Sequence, residues 1–195
     1  GKTISQISAG GDHSLALDSE GQIYAWGSND YGQLGNGDTT DSNTPVKVDA
    51  SGVLAGKTIS QISAGNYHSL ALDSEGQIYA WGDNYYGQLG NGDTTDSNTP
   101  VKVDTSGVLA GKTISQISAG GAHSLALDSE GQIYAWGYND YGQLGNGDTT
   151  SSNTPVKVDA SGVLAGKTIT QISAGFFYSL ALDSEGQIYA WGSND

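Results

Sequence analysis

The chain has 195 residues, enough to bury a real core in one domain or in a short repeat array. Its 21 carboxylates face seven lysines and no arginine, a net charge of −14, which argues against nucleic acid as a partner. Without cysteine or methionine there are no disulfides, thiolate metal sites or cysteine nucleophiles, and no apolar run approaches the roughly 20 residues that cross a membrane. A composition low in lysine, free of arginine and rich in Gly, Ser, Thr, Asn and Asp is the kind expected of a secreted or cell-surface bacterial protein. The missing initiator Met fits a processed chain or an excised piece.

The segment GKTISQISAG begins at residues 1, 56, 111 and 166, a constant spacing of 55. Residues 1–195 are therefore one array with repeats 1–55, 56–110, 111–165 and a partial copy, 166–195. In the first copy, TISQISAG reads as a short strand A, although Ile4 and Ile7 do not alternate strictly. HSLALD follows as strand B, with His13, Leu15 and Leu17 on one side and Ser14 and Ala16 on the other. The turn Asp18–Gly21 has hairpin length, and QIYAWG forms strand C, with Tyr24 and Trp26 on one face and Ile23 and Ala25 on the other. A long polar loop, SNDYGQLGNGDTTDSN, leads to Pro45, which opens an outer edge strand D, PVKVD. GVLAGK is long enough for a single helical turn.

Four short antiparallel strands per repeat predict an all-β fold, a β-propeller built from 55-residue blades. The expected packing sets a bulky face of Leu, Tyr and Trp on the small Ala and Ser face of the next blade, with Trp26, Trp81, Trp136 and Trp191 as a symmetric packed ring. The succession SAGxxHSLALDxxGQIYAWGxNxYGQLGNG with TPVKV resembles the repeat of the regulator of chromosome condensation family over the whole chain. That resemblance implies a propeller scaffold that binds other proteins through its loops; members are typically seven-bladed. Four blade-equivalents leave three arrangements: a four-bladed ring with an incomplete last blade, two chains closing an eight-bladed ring, or a segment of a longer array. Exposed blade faces and strand edges favour self-association into a homo-oligomer.

The copies differ mainly in two places. After SAG stand Gly11-Asp12-His13, Asn66-Tyr67-His68, Gly121-Ala122-His123 and Phe176-Phe177-Tyr178. After WG stand Ser28-Asn29-Asp30, Asp83-Asn84-Tyr85, Tyr138-Asn139-Asp140 and Ser193-Asn194-Asp195. In a meander the A-to-B and C-to-D connections leave the sheet at the same end, so these loops converge on one face. Aromatic residues mixed with Asp and Asn are what protein-binding surfaces use, whereas drift at exposed positions would also have touched the DSEG turns. The expected partner-binding residues are Asp12, Ser28, Asp30, Asn66, Tyr67, Asp83, Tyr85, Ala122, Tyr138, Asp140, Phe176, Phe177 and Tyr178, and the net charge suits a basic protein partner. A glycan-binding propeller would need similar residues at each blade; a designed or recently amplified scaffold without an evolved ligand would also explain near-identical copies.

Catalysis and cofactors are not expected. His13, His68 and His123 sit too far from the axis to share a metal, and the fourth copy has Tyr178 there. NGDTTDSN offers oxygens at Asn36, Asp38, Asp41 and Asn43, without the spacing of a known calcium loop, and GQLGNG precedes no helix that would make it a phosphate loop. No acid lies with a histidine and a nucleophile in triad spacing, and repetition supplies four similar places rather than one site of different groups.

Overall fold

The computed structural model describes residues 2–194, so Asp195 of the last variable loop lies outside the described residues. The first blade is a meander of β1 (Ile4–Ala9), β2 (His13–Asp18), β3 (Ile23–Gly27) and β4 (Ser42–Lys47), hydrogen-bonded in that order. β5 to β8 and β9 to β12 repeat it at Ile59–Lys102 and Ile114–Lys157. Among the described residues the last blade has three strands, β13 (Ile169–Ala174), β14 (Tyr178–Asp183) and β15 (Ile188–Gly192). The GVLAGK turn is a single 3-10 turn at Gly162–Leu164 in the third copy.

The outer strand begins at Ser42, three residues before the expected start, with Pro45 in its interior. Proline is tolerated there because β4 is an edge strand, and a bulge between Ala25 and Gly27 separates its two stretches of pairing with β3. A second bulge, between Ile4 and Gln6, explains the irregular isoleucine spacing. It turns residues three apart to one side, and the equivalents Ile59 and Ile62 both enter the core between the first two blades.

Cross-strand register corrects the expected blade faces. Leu15 pairs with Ala25 and Leu17 with Ile23, while Ser14 pairs with Trp26 and Ala16 with Tyr24. Directly opposed residues share a face. Leu therefore lies with Ile and Ala, and Trp and Tyr lie with Ser and Ala on the other side. Each face mixes large and small groups: Leu15, Leu17, Ile23 and Ala25 of the first blade receive Ile59, Ala71, Tyr79 and Trp81 of the second.

A polar network locks each junction. The carbonyl of Gln33 accepts the Trp81 indole Nε1–H at 2.9 Å and the Ser69 hydroxyl at 2.9 Å. With its proton committed there, Ser69 Oγ accepts from His13 Nε2 at 2.8 Å, so the histidine ties its blade to a side chain of the next. His13 Nδ1, His68 Nδ1 and His123 Nδ1 are left buried without a partner. Burial pushes these imidazoles down to about 4, about 3 and about 4 respectively. Gly35 carries the Trp81 ring: its φ is +66°, and a Cβ there would stand 2.7 Å from indole atoms.

The first strand of every blade is innermost. Gln6 Nε2 donates to the Ser60 carbonyl at 2.6 Å, and Ala64 N–H donates to Ser8 Oγ at 2.9 Å, a pattern repeated at both later junctions. The array is an open arc, not a closed ring. Ile7 is 80% exposed where its equivalent Ile62 is 8%, and Ile188 is 73% exposed where Ile78 is 1%. Trp81 and Trp136 are fully buried, whereas Trp26, with no blade before it, and Trp191, in the last blade of three described strands, are half-buried, so the tryptophans are not symmetric in environment.

Candidate functional site

The meander delivers the variable loops to one end of the array. Asn66, Tyr67, Asp83, Tyr85, Ala122, Tyr138, Phe176 and Phe177 line a cleft of about 350 Å³ together with Tyr31, Tyr86 and Gly121. Its rings form a continuous chain: Tyr85 meets Tyr86 edge-on at 4.8 Å, Tyr86 lies 4.5 Å from Tyr138, Tyr138 lies 5.7 Å from Phe177, and Phe177 meets Phe176 at 4.5 Å. Tyr31 and Tyr67 make a separate pair at 5.2 Å. Such contacts hold the rings while leaving them accessible; Tyr85 is 73% and Phe176 54% exposed.

Other expected residues stand outside the cleft. Asp12, Asp30 and Asp140 are exposed in the same loops, Asp140 accepting the Tyr138 hydroxyl at 3.1 Å. Ser28 turns inward to accept from Gln33 Nε2 at 3.3 Å. Tyr178 opens β14, pairs with Gly192 and lines a lateral pocket with Trp191 and Asn194, so it joins the open edge of the arc rather than the cleft. Its ring occupies the position from which the histidines of other blades reach the following blade. Comparison of copies missed Tyr31, Tyr86 and Tyr141 because they are invariant; the signal available was their place directly after the variable position in each NxYG loop.

The oxygens of NGDTTDSN are partly committed to a neighbouring side chain. Asn29 is fully buried, and its Nδ2 donates toward Asn36 Oδ1, Asp38 O, Asp38 Oδ1 and Thr40 O at 3.0 to 3.3 Å, while its Oδ1 accepts Leu34 N–H. Asp41 faces elsewhere, accepting the Asn29 N–H at 2.7 Å, and Ser151 does the same for Asn139 at 3.1 Å. The loop is thus organised around an amide, and the Asp-to-Ser difference preserves its hydrogen bond.

Charge is distributed unevenly along the strand direction. Lys2, Lys57, Lys112 and Lys167 sit beside the B-to-C turns, where Lys57 Nζ is 2.7 Å from Glu75 and Lys2 Nζ is 3.0 Å from buried Asp18. Burial would raise the Asp18 carboxyl, but the N–H groups of Gln22 and Glu20 and the Lys2 ammonium outweigh it and hold it at about 2. Lys47, Lys102 and Lys157 end the outer strands at that same end. The A-to-B and C-to-D loops hold nine described carboxylates and no lysine. Asp83 is partly buried among them, accepting Tyr85 N–H at 3.0 Å and Gln88 Nε2 at 2.7 Å; burial, with Asp96 nearby, raises its carboxyl above the usual range.

Blades of this kind, stacked radially with their variable loops gathered at one end, define a β-propeller. Residues 1–195 match the RCC1-like domain model, and the chain belongs to the RCC1-like family. It is 40% identical to the ultraviolet-B receptor UVR8 of Arabidopsis thaliana over all of this chain and 42% of the receptor, and 38% identical to the human E3 ubiquitin-protein ligase HERC2 over 4% of that protein. Among solved structures, human WBSCR16 superposes with a TM-score of 0.86 at 29% identity, covering 98% of this chain and 48% of that one. Prp20p of Saccharomyces cerevisiae, whose binding to Gsp1p and histones is described, superposes at 0.80 with 30% identity over 98% and 44%. The chain spans less than half the length of these relatives.

Proposed function

We propose that this chain is a non-catalytic scaffold that recognises a protein partner through its A-to-B and C-to-D loop face. Its chief support is the aromatic cleft, built largely from the positions at which otherwise near-identical copies differ. Large, rigid, amphipathic rings give contact area at low entropic cost. Binding of Gsp1p and histones by the relative Prp20p is consistent with it. The partner is basic, because the carboxylates of that face are not balanced by lysine.

The two open faces of the arc are complementary by repetition. The first blade offers Ile4, Ile7 and Trp26, whose equivalents dock at each internal junction, and the last offers Leu180, Leu182 and Gln171, whose equivalents receive them. Blades of the same repeat cover these faces, supplied by a second copy of the chain. Light scattering should then give about 40 kDa, twice the 20.0 kDa chain mass, and a 20 kDa species at micromolar concentration refutes the pairing. For the loop face, the double variant Phe176→Ala, Phe177→Ala should lower capture of a crosslinked partner at least tenfold while strand content by circular dichroism is unchanged. Equal capture rejects the cleft as the binding site.

A further inference from the structure

We infer that the cleft seats an arginine side chain from an extended segment of the protein partner, with its guanidinium against the Tyr86 and Tyr138 rings and directed to the Asp83 carboxylate. This rests on the protein-recognition reading of the loop face and adds the chemistry of the contact.

Three independent features favour that occupant. First, the cleft joins partly exposed tyrosine rings to a partly buried acid, the combination that suits a delocalised cation better than an apolar side chain. Guanidinium is planar and weakly hydrated, stacks on aromatic faces and meets a carboxylate through two parallel N–H donors, which a compact ammonium does not do. Second, Asp83 retains acceptor capacity, since each of its oxygens takes one hydrogen bond from the protein, at Tyr85 N–H and Gln88 Nε2. Third, no arginine or lysine of the chain serves this face: arginine is absent and all seven lysines lie toward the other end of the blades. A cation from outside relieves the repulsion between Asp83 and Asp96 in the same place. Anionic ligands, including nucleic acid and sulfated glycans, meet the opposite field.

The test uses the full chain and three fluorescein-labelled peptides of identical length in a Gly-Ser background, carrying two arginines, two citrullines or two glutamates. Citrulline keeps the shape of arginine and removes the charge. Fluorescence anisotropy at 50 mM salt should show the arginine peptide binding at least tenfold more tightly than the citrulline peptide and no binding of the glutamate peptide. Asp83→Asn and Tyr138→Ala should each weaken the arginine peptide at least fivefold, whereas Asp104→Asn, which removes an equal charge beyond an outer strand, should change it less than twofold. Equal affinities for arginine and citrulline peptides, equal effects of Asp83→Asn and Asp104→Asn, or no arginine binding at all overturns the assignment. If the citrulline peptide binds as well and the paired phenylalanine variant abolishes both, the cleft remains a recognition site and the arginine assignment alone fails.

Discussion

Tryptophan at position 26 of the repeat offers an internally controlled test of inter-blade packing, because the same residue occurs with and without a preceding blade. Trp81 is fully buried, rests on Gly35 and donates to the Gln33 carbonyl; Trp26 is half-buried and begins the arc. Removing about 200 Å² of apolar contact at 25 cal/mol/Å² is worth about 5 kcal/mol, the upper end of the range for deleting a buried tryptophan. In the monomer, at protein concentrations below those that pair two chains, Trp81→Ala should therefore cost about 4 to 5 kcal/mol and Trp26→Ala about 2 kcal/mol, since half its surface is already in water there. Trp81→Phe separates the hydrogen bond from the packing: the Gln33 carbonyl keeps the Ser69 hydroxyl, so the polar part of the loss should be about 1 kcal/mol. Urea unfolding followed by far-ultraviolet circular dichroism at pH 7 reads all three. In a repeat array stability is the sum of blades and junctions, so Trp81→Ala should also broaden the transition by uncoupling the first blade. Equal losses for Trp26→Ala and Trp81→Ala would refute the claim that the ring's contribution comes from the neighbouring blade.

Acid should weaken the junctions in a defined window. The three buried imidazoles have folded pKa values below the unfolded 6.5, so the unfolded chain binds more protons between 6.5 and 4. Stability is therefore complete above pH 6.5 and falls as pH drops toward 4, by up to about 3 kcal/mol for each histidine. Denaturant titrations from pH 7 to 4 should show a shallower slope in His68→Gln, and an unchanged slope counts against the burial argument. Asn84→Asp should place a carboxylate among Asn91, Asp93 and Thr95 oxygens now served by an amide, costing about 3 kcal/mol. Hydrogen exchange at the Leu89 amide, which donates to Asn84 Oδ1, should accelerate, and retained protection would show that the loop tolerates the charge.

Much of this molecule is legible in the order of its residues. The 55-residue spacing, the β-branched strands, the DSEG turn and the meander rule place the blades and gather the variable loops at one end, because those features depend on local propensity and on strand direction alone. Residues compared among copies reveal Tyr67, Tyr138 and Phe177, but not Tyr86 or Tyr141, which supply ring contacts between them without varying.

Tertiary structure decided what depends on a neighbour. The bulge at Ile4 and Gln6, the pairing of Ser14 with Trp26 and the start of β4 at Ser42 follow from hydrogen-bond register, which alternation along a single strand does not encode. Identical segments take different burial because a blade's faces are covered only where another blade stands beside them: Ile62 is core and Ile7 is surface. Tyr178 turns to the arc's edge because no further blade stands beside it, and Asn29 fills the oxygen-lined loop because the loop folds back to bring Asn36, Asp38 and Thr40 around one amide, a closure that the spacing of its residues does not reveal.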